Sequence, residues 1–260
     1  MFMAKISKKK KPVPKPKKLK PKKTHSWRLC PIGEHWVQTH PLQIPPSRKH
    51  PEGSVTTRHG HCAKNPTGKD QLYPDEMYEM ARKNFPKLKE KPCPLDLGFR
   101  KKHKGNEYDD LIAGWTKYWN DVFKPSNPLD SDIVKALIAS ESGFDPNILA
   151  DKKNKNSARG LMQITNDTRK ILGDEKGELK DHYLTLTRED LNNPSLNICA
   201  GIRWLFRKSE IASSLLGKQA TWQEAVAEFK GIRTTNKARA EKLMARFTKH
   251  LGKLKQCGQK

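Results

Sequence analysis

The chain has 260 residues, with 52 Lys plus Arg against 28 Asp plus Glu and a formal charge of +24. That length admits one large domain or two modest ones. The charge favours nonspecific association with a polyanion, whether nucleic acid, an anionic wall polymer or an acidic lipid surface, and makes it salt-sensitive. No apolar run is long enough to span a bilayer as a helix.

Residues 1–23 hold eleven lysines and four prolines with no acidic residue among them. Like charges repel and proline prevents regular hydrogen bonding, so this stretch is expected to be a disordered basic tail. It lacks the apolar run of a Sec signal peptide. Residues 24–105 follow as a small irregular module rich in Pro, His and turn residues. Within it, WVQTHPLQIPP and SVTTRHGHC read as short strands, with HPEG supplying a turn between them. YPDEMYEMARKNF reads as a helix opened by Pro74, with Asp75 and Glu76 suited to its positive end.

Residues 106–256 change to a helical pattern, so the fold class expected is α+β, mainly α. YDDLIAGWTKYWNDVF puts Leu111, Ile112, Trp115 and Trp119 near one face and stops before Pro125. Asp130 or Ser131 caps SDIVKALIASESGF. Pro194 opens a helix over NPSLNICAGIRWLFRKSE, where Cys199 lies with Ile198, Ile202 and Phe206 and reads as packing. Thr221 and Glu224 form a capping-box pattern. A last amphipathic helix runs from about Asn236 to Leu254.

Ile133, Leu137 and Glu141 recur at intervals of four, which places an acid on the apolar stripe of its helix. It also falls in the last turn, at the negative end of the helix dipole. Burial and the dipole both oppose ionisation, the condition in which a carboxylic acid protonates a leaving oxygen near neutral pH. Periodicity alone leaves a second reading open, a glutamate at the rim of the core hydrogen-bonded to a neighbour.

ALIASESGFDPNILA followed by SARGLMQIT resembles the soluble lytic transglycosylases, a branch of the lysozyme superfamily. The matching residues are Glu141, Ser142, Phe144 and Pro146, then Gly160, Leu161, Met162 and Gln163. A later helix matches through Asn193, Pro194, Asn197, Gly201 and Leu205, so the resemblance covers residues 125 to 250 or so. It implies a lysozyme-like domain that cleaves peptidoglycan glycan strands with Glu141 as the one essential carboxylate. The sugar's own C6 hydroxyl then serves as nucleophile, where most glycosidases need a second carboxylate. Ser142, Gly160, Leu161, Met162, Gln163, Asn197 and Phe229 are the substrate-binding residues implied, although from its residue type Met162 reads as core before it reads as a sugar contact. The chain departs from the family at AVAEFKGI. Phe229 stands where a tyrosine is usual and lacks its hydroxyl, and Lys230 stands where an asparagine is usual. Lys230 reads as a solvated surface lysine, or else as a holder of a substrate carboxylate.

The five cysteines are odd in number and irregular in spacing, which argues against a disulfide framework and for synthesis in a reducing cytoplasm. An enzyme made there without a Sec signal needs another route to the periplasm, as a cell-wall-targeting effector or a phage or secretion-apparatus component, with an immunity protein as one possible partner. Cys30, His35, His59, His61, Cys62 and Cys93 have the ligand chemistry for a structural zinc, but no standard finger spacing. No other cofactor is expected. A lysozyme-like hydrolase and a non-catalytic glycan-binding protein are the competing readings.

Overall fold

A computed structural model describes residues 25, 27–99, 104–179 and 181–257. The lysine-rich stretch 1–23 lies outside the described residues. The expected strands pair as one long antiparallel ribbon with a break in it. At its base, β1 (Glu34–Val37) lies against β4 (His61–Lys64). At its tip, β2 (His40–Ile44) lies against β3 (Ser54–Arg58). Every residue of β3 is exposed, so among the described residues the tip is a two-stranded ribbon open to solvent.

The base of the ribbon is fastened by charge. α1 (Pro74–Asn84) begins at the expected proline, and Glu76 in its first turn is completely buried. Burying a carboxylate is costly unless partners satisfy it. Here Arg28 Nε donates to Glu76 Oε1 at 2.6 Å and Arg28 Nη2 to Oε2 at 3.1 Å. The amides of Leu29, Cys30 and Trp36 point to the same carboxylate. α1 also carries Met77 and Met80, both fully buried. Phe85, one residue beyond it, packs edge-on against Trp115 at 5.0 Å.

Trp115 belongs to α2 (Asp109–Phe123), which contributes Ile112, Trp115, Tyr118 and Trp119 to the core. Gly114 explains how close the two regions come, since a Cβ there would lie 2.1 Å from the Phe85 ring. α3 (Ser131–Glu141) is capped by Asp130, whose side chain accepts from the Asp132 amide. α4 (Asn166–Gly173) opens on Thr165 in the same way. α5 (Pro194–Leu216) starts at the expected proline and ends at Gly217, in the left-handed region that favours glycine. α6 (Trp222–Phe229) has the full capping box of Thr221 and Glu224. α7 (Lys237–Cys257) lies along α3 and buries Phe247, Leu251 and Leu254. The fold is thus mainly α with small β elements. One apolar cluster runs without a break from Leu72 to Leu254.

Two features depart from the expectations. A parallel pair joins the two regions, β5 (Gln71–Leu72) with β6 (Tyr183–Leu184). Four of the five cysteines are paired, Cys30 with Cys62 and Cys93 with Cys257, while Cys199 is free and buried. The expectation of no disulfides therefore fails. The spacing looked irregular because each bond joins separate elements, across sequence separations of 32 and 164 residues. The odd count comes from Cys199, a core residue whose backbone oxygen accepts from Trp119 Nε1.

Candidate active site

α3 delivers Glu141 as its last residue. Ile133 and Leu137 of the same stripe are buried, and the Glu141 side chain is 19% exposed, reaching solvent where the stripe runs out. The chain then turns sharply. Ser142 is buried, donates from Oγ to the Ile138 oxygen and accepts from the Phe144 amide at 3.2 Å. Gly143 and Phe144 both adopt positive φ, 61° and 66°. For a bulky residue such as Phe144 that conformation is uncommon and marks a turn held by its surroundings. Its ring is fully buried and meets Phe99 edge-on at 5.4 Å, while Phe99 faces His250 at 5.6 Å. A Cβ on Gly143 would touch the Phe99 ring at 3.0 Å. The module thus sends Phe99 against the turn that follows the acid.

Lys230 caps the C-terminal end of α6 and its Nζ ion-pairs with Glu141 Oε1. Its side chain is only 2% exposed. The reading of Lys230 as a solvated lysine is therefore corrected. Its aliphatic stem is covered by protein and its ammonium is spent on the carboxylate of Glu141. Phe229, its neighbour, is half-buried against the core. His250 stands close enough to Lys230 to feel its charge. Burial first, then Lys253, Lys249 and Lys230, push the imidazole below its ordinary value, so it is neutral at physiological pH.

The other expected substrate residues form a support. The segment 158–164 folds back on itself, with Arg159 bridged to Leu149 and to Ile164. Asn197 of α5 is fully buried and braces it. Its Oδ1 accepts from the Met162 amide at 2.8 Å, and its Nδ2 donates to the oxygens of Arg159 and Leu191. Gly160, with φ +72°, packs so tightly that a Cβ would lie 2.3 Å from Asn197 Nδ2. Gly201 makes room for Met162, whose Sδ would be 2.2 Å from an added Cβ. Leu161 and Met162 are fully buried. Contact with substrate, expected of Leu161, Met162 and Asn197, is not available to side chains so enclosed. They hold the loop in shape. Gln163 is half-buried and donates to the oxygens of Gly160 and Ile148.

The six zinc candidates are not brought together. Cys30, Cys62 and Cys93 are in disulfides and so cannot ligate as thiolates. His35 stacks on Tyr73 and bonds Asn65, and His61 Nδ1 lies 3.1 Å from the His59 oxygen. Sequence reasoning missed a different convergence, of His25, Asp70 and His182. Residues so far apart in the chain give no local signal.

A partly exposed glutamate ends a buried helix, beside a turn and a loop both anchored from the core. Residues 124–243, a little under half of the chain, match the transglycosylase SLT domain. No curated protein sequence shows a significant match. Among solved structures, the chain is similar to the 70 kDa soluble lytic transglycosylase from Escherichia coli, at 18% identity with a TM-score of 0.35. That likeness covers 68% of this chain and 29% of the other, so the chain spans less than a third of that protein's length.

Proposed function

We propose that the chain is a peptidoglycan lytic transglycosylase, cleaving the β-1,4 bond between N-acetylmuramic acid and N-acetylglucosamine. The observation that carries this is the position of Glu141 at the exposed end of a buried helix, within the span that matches the family. In this mechanism Glu141, protonated, gives its proton to the glycosidic oxygen as the C1–O bond breaks. As a carboxylate it then takes the proton of the muramic C6 hydroxyl, whose oxygen closes on C1 to leave a 1,6-anhydro ring. The proton count balances and no water is consumed. The turn at Ser142–Phe144 and the loop braced by Asn197 keep the carboxyl and the sugar site in register, which is how a rigid scaffold lowers the cost of reaching the reactive geometry.

The ion pair with Lys230 sets the first event of the cycle. A carboxylate engaged by an ammonium is not a proton donor, so the pair opens before Glu141 acts as acid. An anionic group on the peptide stem of the substrate is the natural competitor for that ammonium. The same ion pair favours a second reading, a glycan-binding domain without turnover. Digestion of purified sacculi followed by mass analysis separates the two. Anhydro-muropeptides released by the wild type and absent with Glu141→Gln support the transglycosylase. Products one water heavier would identify a hydrolase, and binding without release would favour the silent domain.

Two disulfides support work on the oxidising side of the inner membrane, at the wall. We take the protein for a cell-wall-targeting effector or a phage or secretion-associated enzyme.

A further inference from the structure

Three distant points of the chain meet beside the parallel strands β5 and β6. Asp70, immediately before β5, is 7% exposed. Its Oδ2 lies 2.6 Å from His25 Nε2 and 3.0 Å from His182 Nδ1, and the three ligand atoms fall within 4.8 Å of one another. The two rings approach edge to face, 5.2 Å between centroids. Phe123 closes one side of His182 at 5.3 Å.

Charged groups crowd this point. Asp70 Oδ1 accepts from Arg28 Nη1 at 2.5 Å, but Arg28 also neutralises the fully buried Glu76. Two buried carboxylates, Asp70 and Glu76, share the Arg28 guanidinium. Arg203 nearby donates to the backbone oxygens of Asp181 and His182.

We propose that His25 Nε2, His182 Nδ1 and Asp70 Oδ2 bind one zinc ion, with solvent as the fourth ligand. Two imidazoles and a carboxylate are a recognised zinc donor set. At metal–ligand distances of about 2.0–2.1 Å, tetrahedral ligand atoms sit about 3.3 Å apart, so the cluster opens by several tenths of an ångström to admit the ion. Arg28 on the far oxygen of Asp70 plays the part usual for a hydrogen-bond donor behind a metal-bound carboxylate, fixing its orientation. The ion joins residue 25 to the loops before β5 and β6, and so staples the start of the described chain to the helical region. The site is independent of Glu141 and of the reaction proposed for it.

The test uses the untagged full chain with its disulfides intact, stripped by chelator and titrated with zinc against a chromophoric competitor. One equivalent bound by the wild type, and loss of that binding in both His25→Ala and His182→Ala, is the expected result. Cobalt put in place of zinc should give a visible spectrum of nitrogen and oxygen ligands without a thiolate band. No zinc bound by the wild type, binding unchanged in His25→Ala, or a thiolate band each overturns the proposal. The cobalt spectrum needs no variant and stands even where a substitution prevents folding.

Discussion

Lys230 Nζ and Glu141 Oε1 form an ion pair in which the lysine side chain is nearly enclosed and the glutamate is one-fifth exposed. The charge of the acid is therefore answered from inside the protein. A hydrogen bond to a charged group is worth about 1.5–3 kcal/mol, and in the proposed mechanism opening this one is part of the barrier to proton donation. Lys230→Asn, which restores the residue usual in the family, is expected to raise the initial rate on sacculi by about tenfold, or 1.4 kcal/mol. Turnover assays at fixed pH check it, and an unchanged rate would show that the pair is no obstacle.

Phe229→Tyr tests the neighbouring position. The half-buried ring gains a hydroxyl where the family has one, and the substitution adds only one atom. The expected outcome is a modest rise in rate with little change in melting temperature. A fall in stability of more than about 1 kcal/mol would mean that the ring edge is too tightly packed to carry the hydroxyl.

Asn197 is the brace of the loop at 158–164. Asn197→Ala removes three hydrogen bonds from buried backbone groups and is expected to cost about 3 kcal/mol of stability. Activity should fall even at temperatures where the variant is folded, because the loop is no longer held. Gly160→Ala is expected to do the same, through the clash with Asn197 and the positive φ. Chemical denaturation and sacculus digestion measure the two effects separately.

The pair of Asp109 and Lys135 predicts a pH dependence. Burial pushes the Asp109 carboxyl up from 3.8 to about 6, with Lys135 opposing that shift, and burial also lowers the Lys135 ammonium. A carboxyl raised on folding holds its proton more tightly in the folded state. Its contribution to stability is therefore full below the unfolded value and lost as pH rises through the folded one. The wild type should lose stability from this source between pH 3.8 and about 6. Asp109→Asn should flatten that part of the melting curve against pH, and a slope that survives would assign it to other groups.

Reduction tests the bond between Cys93 and Cys257. A crosslink across 164 residues removes much of the freedom of the unfolded chain, worth about 5 kcal/mol in the loop-entropy model. Cys257→Ser is expected to lower the melting temperature well beyond the loss expected for Cys199→Ser. Equal shifts in both would remove the crosslink from the account.

Much of the helical fold could be read before the structure, because helix starts are written locally. Pro74, Asp130, Pro194 and the Thr221–Glu224 box all mark the ends they were expected to mark. The period of four placed Glu141 on the apolar stripe, but only the family resemblance singled it out as the acid. What was missed is non-local. Lys230 lies 89 residues from Glu141, and nothing in AVAEFKGI says that its ammonium turns inward. Asn197 belonged to a recognisable motif, but a motif does not distinguish a residue that touches sugar from one that holds the loop. The disulfides and the β5–β6 pair depend on the same long-range closure.

Phe85 seated in the space left by Gly114 has a consequence for how the protein can be cut. A fragment beginning at residue 106 would retain the family-matching span but strip Met77, Met80 and Phe85 from the apolar cluster, leaving the Trp115 face of α2 open to water. The smallest piece able to keep its interior dry therefore starts upstream of β5. In this protein the helical region and the segment before it share one interior and stand or fall as one folding unit.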